Sequence, residues 1–165
     1  MKVLVTGAHG QLAGAIIDRY KAHADVRAYS RSELDISSFD AVMSRLSADR
    51  PDVVINCAAY NKVDQAEDEP QAALTVNAFA VRVLARAAAE VGATLVHYST
   101  DFVFDGRGTR PYVESDPPKP LSVYGQSKLL GEWFAADGDE QIPRFLFKRN
   151  DWLGVRIRCR CAGEA

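Results

Sequence analysis

Short β-branched segments alternate with helical segments along this chain, and this order of elements limits its fold more than any other feature. Strands are predicted at residues 2–6, 26–29, 53–56 and 94–99. Helices are predicted at residues 10–22, 37–48 and 70–92, and a last helix contains Tyr124 and Lys128. Strand–helix alternation is typical of a parallel sheet that helices cover on both faces. We therefore predict an α/β fold with a doubly wound parallel sheet.

The predicted helices carry start and stop signals. Ser37 is predicted as the N-cap of the second helix, because a serine hydroxyl accepts a hydrogen bond from an unpaired N–H of the first turn. Pro70 opens the third helix at a position where its missing N–H is harmless. Gly92 follows the same helix and predicts its end.

An acidic cluster precedes Pro70, and it has two interpretations. Its members are Asp64, Glu67, Asp68 and Glu69. Carboxylates can bind a metal ion, but they also favour the positive end of a helix dipole. The second interpretation explains the position of the cluster directly, so the sequence predicts no metal site.

Composition excludes several classes of protein. The chain has 165 residues, of which 47% are hydrophobic and 25% charged, and a net charge of −2 argues against nucleic-acid binding or an anionic membrane surface. No apolar run is expected to reach the ~20 residues of a membrane-spanning helix, and no signal peptide is predicted. Three cysteines, Cys57, Cys159 and Cys161, form neither a disulfide framework nor a zinc pattern. A reducing cytoplasm is the expected location, and the oligomeric state is left open.

A glycine-rich turn joins the first strand to the first helix in the sequence TGAHGQLAG, residues 6–14. Gly7 and Gly10 permit a tight turn, and Ala13 occupies a third small position where helix and strand pack closely. The helix N-terminus behind this turn offers free N–H groups to a pyrophosphate. This context predicts dinucleotide binding in a Rossmann-like fold. The alternative is an ordinary glycine turn.

The end of the second strand predicts which nicotinamide dinucleotide is bound. An acid at this position would bind the ribose 2′-hydroxyl of NAD(H), whereas a cation would accept the 2′-phosphate of NADP(H). The chain has Ser30 and Arg31 here, and its first acid is Glu33. Arg31 therefore favours NADP(H), with NAD(H) as the alternative. An Arg31 that is merely exposed to solvent would distinguish neither.

Several motifs together resemble the extended short-chain dehydrogenases/reductases. These motifs are TGAHGQL at the N-terminus, LDISS at 34–38, PDVVINCAAYNKVDQAEDEP at 51–70, VHYSTDFVFDG at 96–106 and PLSVYGQSKLLGE at 120–132. Within that family the chain is similar to the enzymes that reduce a 4-keto nucleotide sugar. The resemblance covers roughly residues 1–135 and implies reduction of a small-molecule nucleotide sugar by hydride from a nicotinamide.

The resemblance also implies roles for individual residues. The expected catalytic residues are Tyr124, Lys128 and Thr100, and Thr100 and Asp101 are expected to touch the sugar. Cofactor contacts are implied or predicted for Gly7, Gly10, Gln11, Leu12, Ser30, Arg31, Asp35, Ile36, Ala58, Ala59, Tyr60, Asn61, Tyr124 and Lys128. Ala13 replaces a usual glycine and Cys57 a usual alanine, and both replacements are small enough to preserve binding.

Tyr124 and Lys128 are four residues apart on a predicted helix, so their side chains share one face. Alone, this spacing fits a surface pair as well as a catalytic pair. The implied chemistry favours the second, because ketone reduction needs a proton on oxygen and a phenol with a pKa of about 10 can supply it. Lys128 is expected to stabilise the phenolate and lower the pKa of Tyr124. Thr100 is expected to polarise the ketone.

Other conspicuous residues receive structural interpretations. His97 alternates on a strand and is predicted to be a packed histidine rather than a base. His9 lies in the phosphate turn but is assigned no role. Trp133 and Phe134 are predicted to lie in the core.

The last residues differ from the rest of the chain. Residues 144–165 carry a net charge of +4, which leaves −6 for residues 1–143. We predict an NADP-binding domain with the catalytic helix at 1–143 and a divergent basic tail, without its own domain, at 144–165. The resemblance implies that most of the substrate-binding part is missing, and a truncated or frameshifted reductase is one hypothesis. A non-catalytic NADP-binding or regulatory protein is the alternative function.

Overall fold

A computed structural model describes residues 1–113 and 115–137, and the predicted tail at 144–165 lies outside these residues. Four parallel strands form one sheet in the order β2-β1-β3-β4. The strands are β1 (Lys2–Thr6), β2 (Asp25–Tyr29), β3 (Val53–Asn56) and β4 (Thr94–His97). The order places β1 in the interior of the sheet, with crossovers on either side, and confirms the predicted doubly wound α/β fold.

Six α-helices, one π-helical segment and one 3₁₀ turn accompany the sheet in the described residues. The α-helices are α1 (Gln11–Tyr20), α2 (Phe39–Asp49), α3 (Gln65–Asp68), α4 (Pro70–Leu74), α5 (Ala80–Val91) and α6 (Val123–Asp137). A π-helical segment, Thr75–Phe79, joins α4 to α5, and a 3₁₀ turn covers Asp101–Val103. Gly92 ends α5 in the left-handed conformation with φ 74°, as a C-terminal glycine is expected to do.

The start of α2 differs from the prediction by one residue. Ser38, not Ser37, is the N-cap, and its side chain accepts a hydrogen bond from the Ala41 N–H. Asp35 explains the difference, because its carboxylate accepts both the N–H and the hydroxyl of Ser37. The Ser37 hydroxyl is thereby engaged in the turn before the helix.

Alternating side chains of β1 build hydrophobic clusters on both faces of the sheet. Leu4 packs in a cluster with residues of α2 and α5, including Leu46 and Leu84. Val3 and Val5 pack on the opposite face with α1. Burial on both faces explains why β1 reads as a continuous apolar run.

The helical run Pro70–Val91 is long and apolar enough to cross a membrane by length and composition, so the expectation that no run reaches this length was wrong. Half of its most apolar window is buried inside the fold. Leu84, Ala85 and Ala88 are fully buried in the cluster with α2 and the sheet. This burial is typical of the core helix of a globular domain.

The predicted core positions on α6 are also corrected. Trp133 is 58% exposed, so its assignment to the core was wrong. It lies five residues after the buried Lys128 and therefore on a different face of the helix. Phe134 is partly buried and stacks at an angle against Phe79, with 5.8 Å between ring centroids.

Candidate active site

The loops that follow the four strands meet along one edge of the sheet. Parallel strands all end at the same edge, which is where open α/β sheets bind ligands. A cleft of about 370 Å³ lies there. Its lining includes Gly7, His9, Gly10, Ser30, Arg31, Leu34, Asp35, Ile36, Cys57, Ala58, Ala59, Tyr60 and Asn61. Most of the residues assigned to the cofactor from the sequence therefore lie around one cleft.

The glycine-rich turn has the close backbone approach that its sequence predicts. Gly7 has φ 73°, and a Cβ at this position would lie 2.8 Å from the Ala58 backbone nitrogen. Gly10 donates its N–H to the Gly7 carbonyl oxygen at 2.8 Å and is the N-cap of α1 without a side-chain cap. A side chain at Gly7 would collide with the loop after β3, so this turn needs glycine.

Gln11 and Leu12, which were also assigned to the cofactor, occupy the first turn of α1. Both are exposed, Leu12 to 44%, and neither is among the residues that line the cleft. Their backbone N–H groups belong to the helix N-terminus, where an anion is favoured. Any contact that they make with a cofactor is therefore expected from the backbone rather than from the side chains.

At the end of β2, an acid folds back onto the strand. Ser30 is buried, and both its N–H and its hydroxyl donate to the Glu33 carboxylate, at 2.8 and 2.6 Å. These hydrogen bonds lower the pKa of Glu33. Arg31 is exposed and lines the cleft. The nearest acid is thus engaged by Ser30, while the guanidinium of Arg31 lies beside the cleft.

Asp35 and Ile36 follow the same loop. Ile36 is buried in the core cluster, and Asp35 is an exposed residue that lines the cleft. Hydrogen bonds from Ser37 lower the pKa of Asp35, and Arg31 lowers it further. Asp35 therefore presents a carboxylate at this end of the cleft.

A buried hydrogen-bond chain supports the loop 57–61 from below. The Asn56 side-chain oxygen accepts from the Ala58 N–H at 3.1 Å and from the Thr6 hydroxyl at 2.6 Å. The Ala58 N–H can only donate, so the Asn56 atom that faces it must be the side-chain oxygen. The Asn56 amide nitrogen therefore faces His97 Nδ1, at 3.1 Å, and donates to it. His97 consequently carries its proton on Nε2.

His97 is buried, as its sequence position predicts, and burial and the nearby Lys128 hold its pKa well below the usual range. It is therefore neutral at neutral pH. Its Nε2 atom has no hydrogen-bond partner among the described residues. His97 therefore has a packing role rather than an acid–base role.

Asn77 is a site residue that the sequence analysis missed. Its side chain accepts from the Tyr60 N–H at 2.8 Å and donates to the Tyr60 carbonyl oxygen at 3.0 Å. The same amide donates to Ser127 Oγ on α6 at 3.0 Å. Asn77 lies in the π-helical segment, and such segments are frequent at functional sites. A buried asparagine within the apolar run ALTVNAFAV is the signal that could have identified it.

Helix α6 also approaches Asn77 closely. A Cβ on Gly131 would lie 2.1 Å from the Asn77 carbonyl oxygen, so only glycine fits this contact. At the start of α6, the Val123 N–H donates a hydrogen bond to Glu67 Oε1 of α3 at 2.8 Å. Glu67 thus stabilises the positive end of the helix dipole.

Three residues assigned to catalysis meet where β4 ends. Tyr124 is partly buried near the N-terminus of α6, with the Phe102 ring edge-on at 5.7 Å between centroids. Thr100 is buried, lies at the start of the 3₁₀ turn and hydrogen bonds with Tyr124. Lys128 is buried on the same face of α6, and its Nζ donates to the Tyr98 carbonyl oxygen at 2.6 Å. The paired tyrosine and lysine are therefore not an exposed surface pair.

The expectation that Lys128 lowers the pKa of Tyr124 was wrong. Burial raises the pKa of Tyr124, hydrogen bonding with Thr100 lowers it, and the Asp101 carboxylate raises it. Lys128 does not contribute to this shift. Its ammonium is held by a carbonyl oxygen, and burial lowers its own pKa to about 8. Tyr124 is consequently a neutral phenol at neutral pH.

Asp101 connects the catalytic residues to a second cleft. Its Oδ1 accepts from the Thr100 hydroxyl at 3.2 Å. It also lines a cleft of about 430 Å³ together with residues of the loop 106–112. Thr100 and Asp101, both assigned to the substrate from the sequence, therefore lie between the catalytic helix and this cleft.

The acidic cluster before α4 makes hydrogen bonds within the protein. Glu69 accepts from the Tyr60 hydroxyl at 2.9 Å and from the Gln65 amide at 2.6 Å. Within residues 1–113 and 115–137, no group of three or more potential ligands is arranged to hold a metal ion. These contacts give the cluster a structural role.

The site residues fit a dinucleotide. The turn at Gly7 leaves the space that a Cβ would fill, the N-terminus of α1 lies behind it, and Arg31 supplies a cation in the lining of the same cleft. Backbone N–H groups and a cation are the donors that phosphates require.

Comparisons with known proteins agree with this geometry. The family model described as RmlD substrate binding domain matches residues 1–153. A dTDP-4-dehydrorhamnose reductase of Burkholderia thailandensis is 45% identical over 156 residues, which are 94% of this chain and 49% of that protein. These matches confirm the predicted resemblance and extend it beyond residue 135.

Solved structures give the same result. The dTDP-4-dehydrorhamnose reductase of Bacillus anthracis, in complex with NADP, has a TM-score of 0.84 at 38% identity, covering 89% of this chain and 52% of that chain. A dTDP-4-dehydrorhamnose reductase from Clostridium acetobutylicum has a TM-score of 0.86 at 38% identity, covering 96% of this chain and 56% of that chain. The chain spans about half the length of the curated relatives it matches.

Proposed function

The chain belongs to the RmlD substrate-binding-domain family, and on that basis we propose that it acts in the NADPH-dependent reduction of a nucleotide-sugar ketone. The proposed substrate is dTDP-4-dehydro-6-deoxy-L-mannose, and the proposed product is dTDP-L-rhamnose. The meeting of Tyr124, Thr100 and Lys128 at the end of β4 is the observation that carries this proposal. We place the reaction in the cytoplasm.

Tyr124 is the proposed proton donor. Its pKa is raised by burial, so the phenol keeps its proton at neutral pH until a ketone oxygen takes it. Thr100 is proposed to orient the phenol through their hydrogen bond and to contact the same ketone oxygen. The neutral phenol is the form that an acid catalyst requires.

Lys128 is proposed to act on the cofactor beside Tyr124. Its ammonium lies on the same face of α6, one turn away, and the Tyr98 carbonyl oxygen orients it. Release from that carbonyl would let the same ammonium donate to a nicotinamide ribose. In its observed position this ammonium does not shift the pKa of Tyr124, so its proposed role is to position the ribose rather than to set that pKa.

The bound cofactor would supply the hydride, and the chain's part is to hold and orient it. Gly7 and Gly10 would hold the pyrophosphate, Arg31 the 2′-phosphate, and the loop 58–61 the ribose and nicotinamide. Asn77 fixes this loop by its two hydrogen bonds to Tyr60. A fixed loop keeps the reacting groups oriented, which is a large part of catalytic rate.

An assay of NADPH oxidation with dTDP-4-dehydro-6-deoxy-L-mannose tests the proposal, beside a fluorescence titration with NADPH. We expect saturable NADPH binding and substrate-dependent oxidation that Tyr124→Phe removes. Tyr20→Phe is the matched control, because Tyr20 is exposed at the end of α1 and lines neither cleft. A chain that binds no NADPH contradicts the proposal.

A second candidate function is NADP binding without turnover. It requires only the cofactor cleft, whose lining lies within the described residues. The cofactor residues and the catalytic residues Thr100, Tyr124 and Lys128 all precede residue 135. NADPH binding without substrate-dependent oxidation would support this second candidate over the first.

A further inference from the structure

Three residues on one face of α6 contact three consecutive residues after β4. Tyr124, Lys128 and Glu132 are spaced by four residues, so they share a helical face. Tyr124 hydrogen bonds with Thr100, Lys128 Nζ donates to the Tyr98 carbonyl oxygen, and the Ser99 hydroxyl donates to the Glu132 carboxylate. The proposed reaction uses the first two of these contacts, and it leaves the third without a role.

Lys128 presents an electrostatic problem that Glu132 can solve. Its ammonium is buried and donates a hydrogen bond to the neutral Tyr98 carbonyl oxygen. A buried charge is costly unless an opposite charge compensates it. Glu132 is partly buried, one turn further along the same face, and its negative charge acts on Lys128.

The surroundings of α6 provide other charges, but at other positions. Titratable or charged side chains near or on α6 are His97, Asp101, Arg82, Arg86, Glu90, Glu67, Asp68, Tyr124 and Glu132. Among them, Glu132 raises the pKa of Lys128. His97 is neutral and adds no negative charge. Asp101 acts on Tyr124, and Glu67 accepts from the Val123 N–H.

We propose that Glu132 is a positioning residue for the active site. Its carboxylate balances the buried Lys128 ammonium, and through Ser99 it anchors the segment that carries Thr100. The benefit to catalysis rests on the proposed function of Lys128 and Thr100. The electrostatic coupling itself is a property of the folded chain and can be tested without substrate.

The consequence has a defined sign. Burial already lowers the pKa of Lys128 to about 8, and the Glu132 carboxylate opposes that effect. Without the carboxylate, the ammonium loses its proton at a lower pH. Lys128 would then be neutral in a range where the proposed reaction needs its charge.

The Glu132→Gln variant separates charge from size, because glutamine can still accept the hydrogen bond from Ser99. Competitive acetylation of Lys128 between pH 6 and 11, quantified by peptide mass spectrometry, reports where the amine loses its proton. We expect the midpoint to fall by about one pH unit or more, the usual effect of removing a nearby opposite charge. Glu90→Gln, at an exposed position on α5, should leave it unchanged. An unchanged midpoint in folded Glu132→Gln overturns the proposal.

A folding failure of Glu132→Gln is also informative. The double variant Glu132→Gln with Lys128→Met removes both charges. Recovery of folding in the double variant supports the proposal, because the carboxylate is then needed only for the ammonium. Persistent unfolding overturns it. Glu132→Asp keeps the charge and should restore most of the parent midpoint.

An NADPH titration of the same proteins separates this proposal from the proposed function. If the parent binds NADPH and Glu132→Gln loses affinity at a lower pH than the parent, both proposals are supported. If the parent binds no NADPH, the proposed function fails. The acetylation midpoint still decides the role of Glu132 in that case.

Discussion

The two sides of the candidate site are built from different groups. The cofactor side consists largely of backbone and small residues, such as Gly7, Gly10 and Ala58, at the mouths of loops. The catalytic side consists of buried or partly buried polar side chains, including Lys128 and Tyr124, whose pKa values burial has shifted. Nucleotide binding therefore depends mainly on backbone shape, whereas proton donation depends on the charge states of a few side chains.

Removing the Tyr124 hydroxyl should separate the two sides most sharply. Tyr124→Phe removes the proposed acid, and general acid catalysis contributes about 10²- to 10⁴-fold in rate. NADPH affinity should remain nearly unchanged, because the cleft lining is intact. Parallel measurement of NADPH oxidation and NADPH binding checks this. A large loss of affinity would mean that the two sides are not independent.

Lys128→Ala should affect both sides. The ammonium is proposed to hold the ribose beside Tyr124, and a hydrogen bond to a charged group contributes about 1.5–3 kcal/mol. NADPH affinity should fall by about 10- to 150-fold. The control is Lys119→Ala, at an exposed lysine outside the cleft lining. Equal affinities of the two variants would contradict the assignment of Lys128 to the cofactor.

Alanine at Gly7 should damage the cofactor side through the backbone alone. Gly92 is the matched control, because both glycines have φ near 73–74°, but nothing lies within 4 Å of a Cβ at Gly92. Both variants incur the left-handed strain of about 1–2 kcal/mol. Gly7→Ala adds overlap with Ala58, which costs about 1–3 kcal/mol more. Urea unfolding measures the difference, and equal losses would argue against the close approach.

The pH dependence of NADPH binding should reflect Lys128. Its pKa of about 8 lies below the usual value for lysine, so the charged form is present below about pH 8 and is lost above it. NADPH affinity should therefore fall as pH rises through about 8. The free energy of unfolding should change in the opposite direction. Between about pH 8 and 10.5 only the unfolded chain keeps the Lys128 proton, so this group makes the folded state more stable as pH rises. Lys128→Met should abolish both dependences.

The smallest expected effect concerns Arg31. Tighter binding of NADPH than of NADH is expected, and Arg31→Ala should narrow the difference by weakening NADPH. An exposed ion pair contributes about 0.2–1 kcal/mol, so the change should be no more than about fivefold. Fluorescence titration with both nucleotides measures it. Equal affinities in the parent would contradict the preference for NADP(H).

The cofactor side could be predicted from the sequence because its signals are local. The turn 6–14 and the order of strands and helices predict the backbone path directly. Gly7 adopts the positive φ that its position in the turn suggests. The catalytic pair was visible as a spacing on one helix. Its electrostatics were not, because the partner of Lys128 is a carbonyl oxygen thirty residues away in the chain.

The missed residues share this long-range character. Asn77 matters because it contacts Tyr60 and Ser127, which lie 17 and 50 residues away. Trp133 was assigned to the core from its residue type, although the face of α6 that contacts the sheet and the π-helical segment is the one with Lys128 and Gly131. Helical phase and distant contacts are set by tertiary packing, which a single sequence states weakly.

The π-helical segment changes which residues share a face within the longest helical run of the described residues. Its extra residue is visible where the Ala80 N–H donates to the Thr75 carbonyl oxygen, five residues back. Seven residues make nearly two full turns of a regular α-helix, so Asn77 and Leu84 would share one face without the wider π turn. Asn77 can therefore point towards the catalytic helix while Leu84 and Ala88, further along, face the sheet. The wider turn thus lets one helical run contact the active site with one face and the core with another.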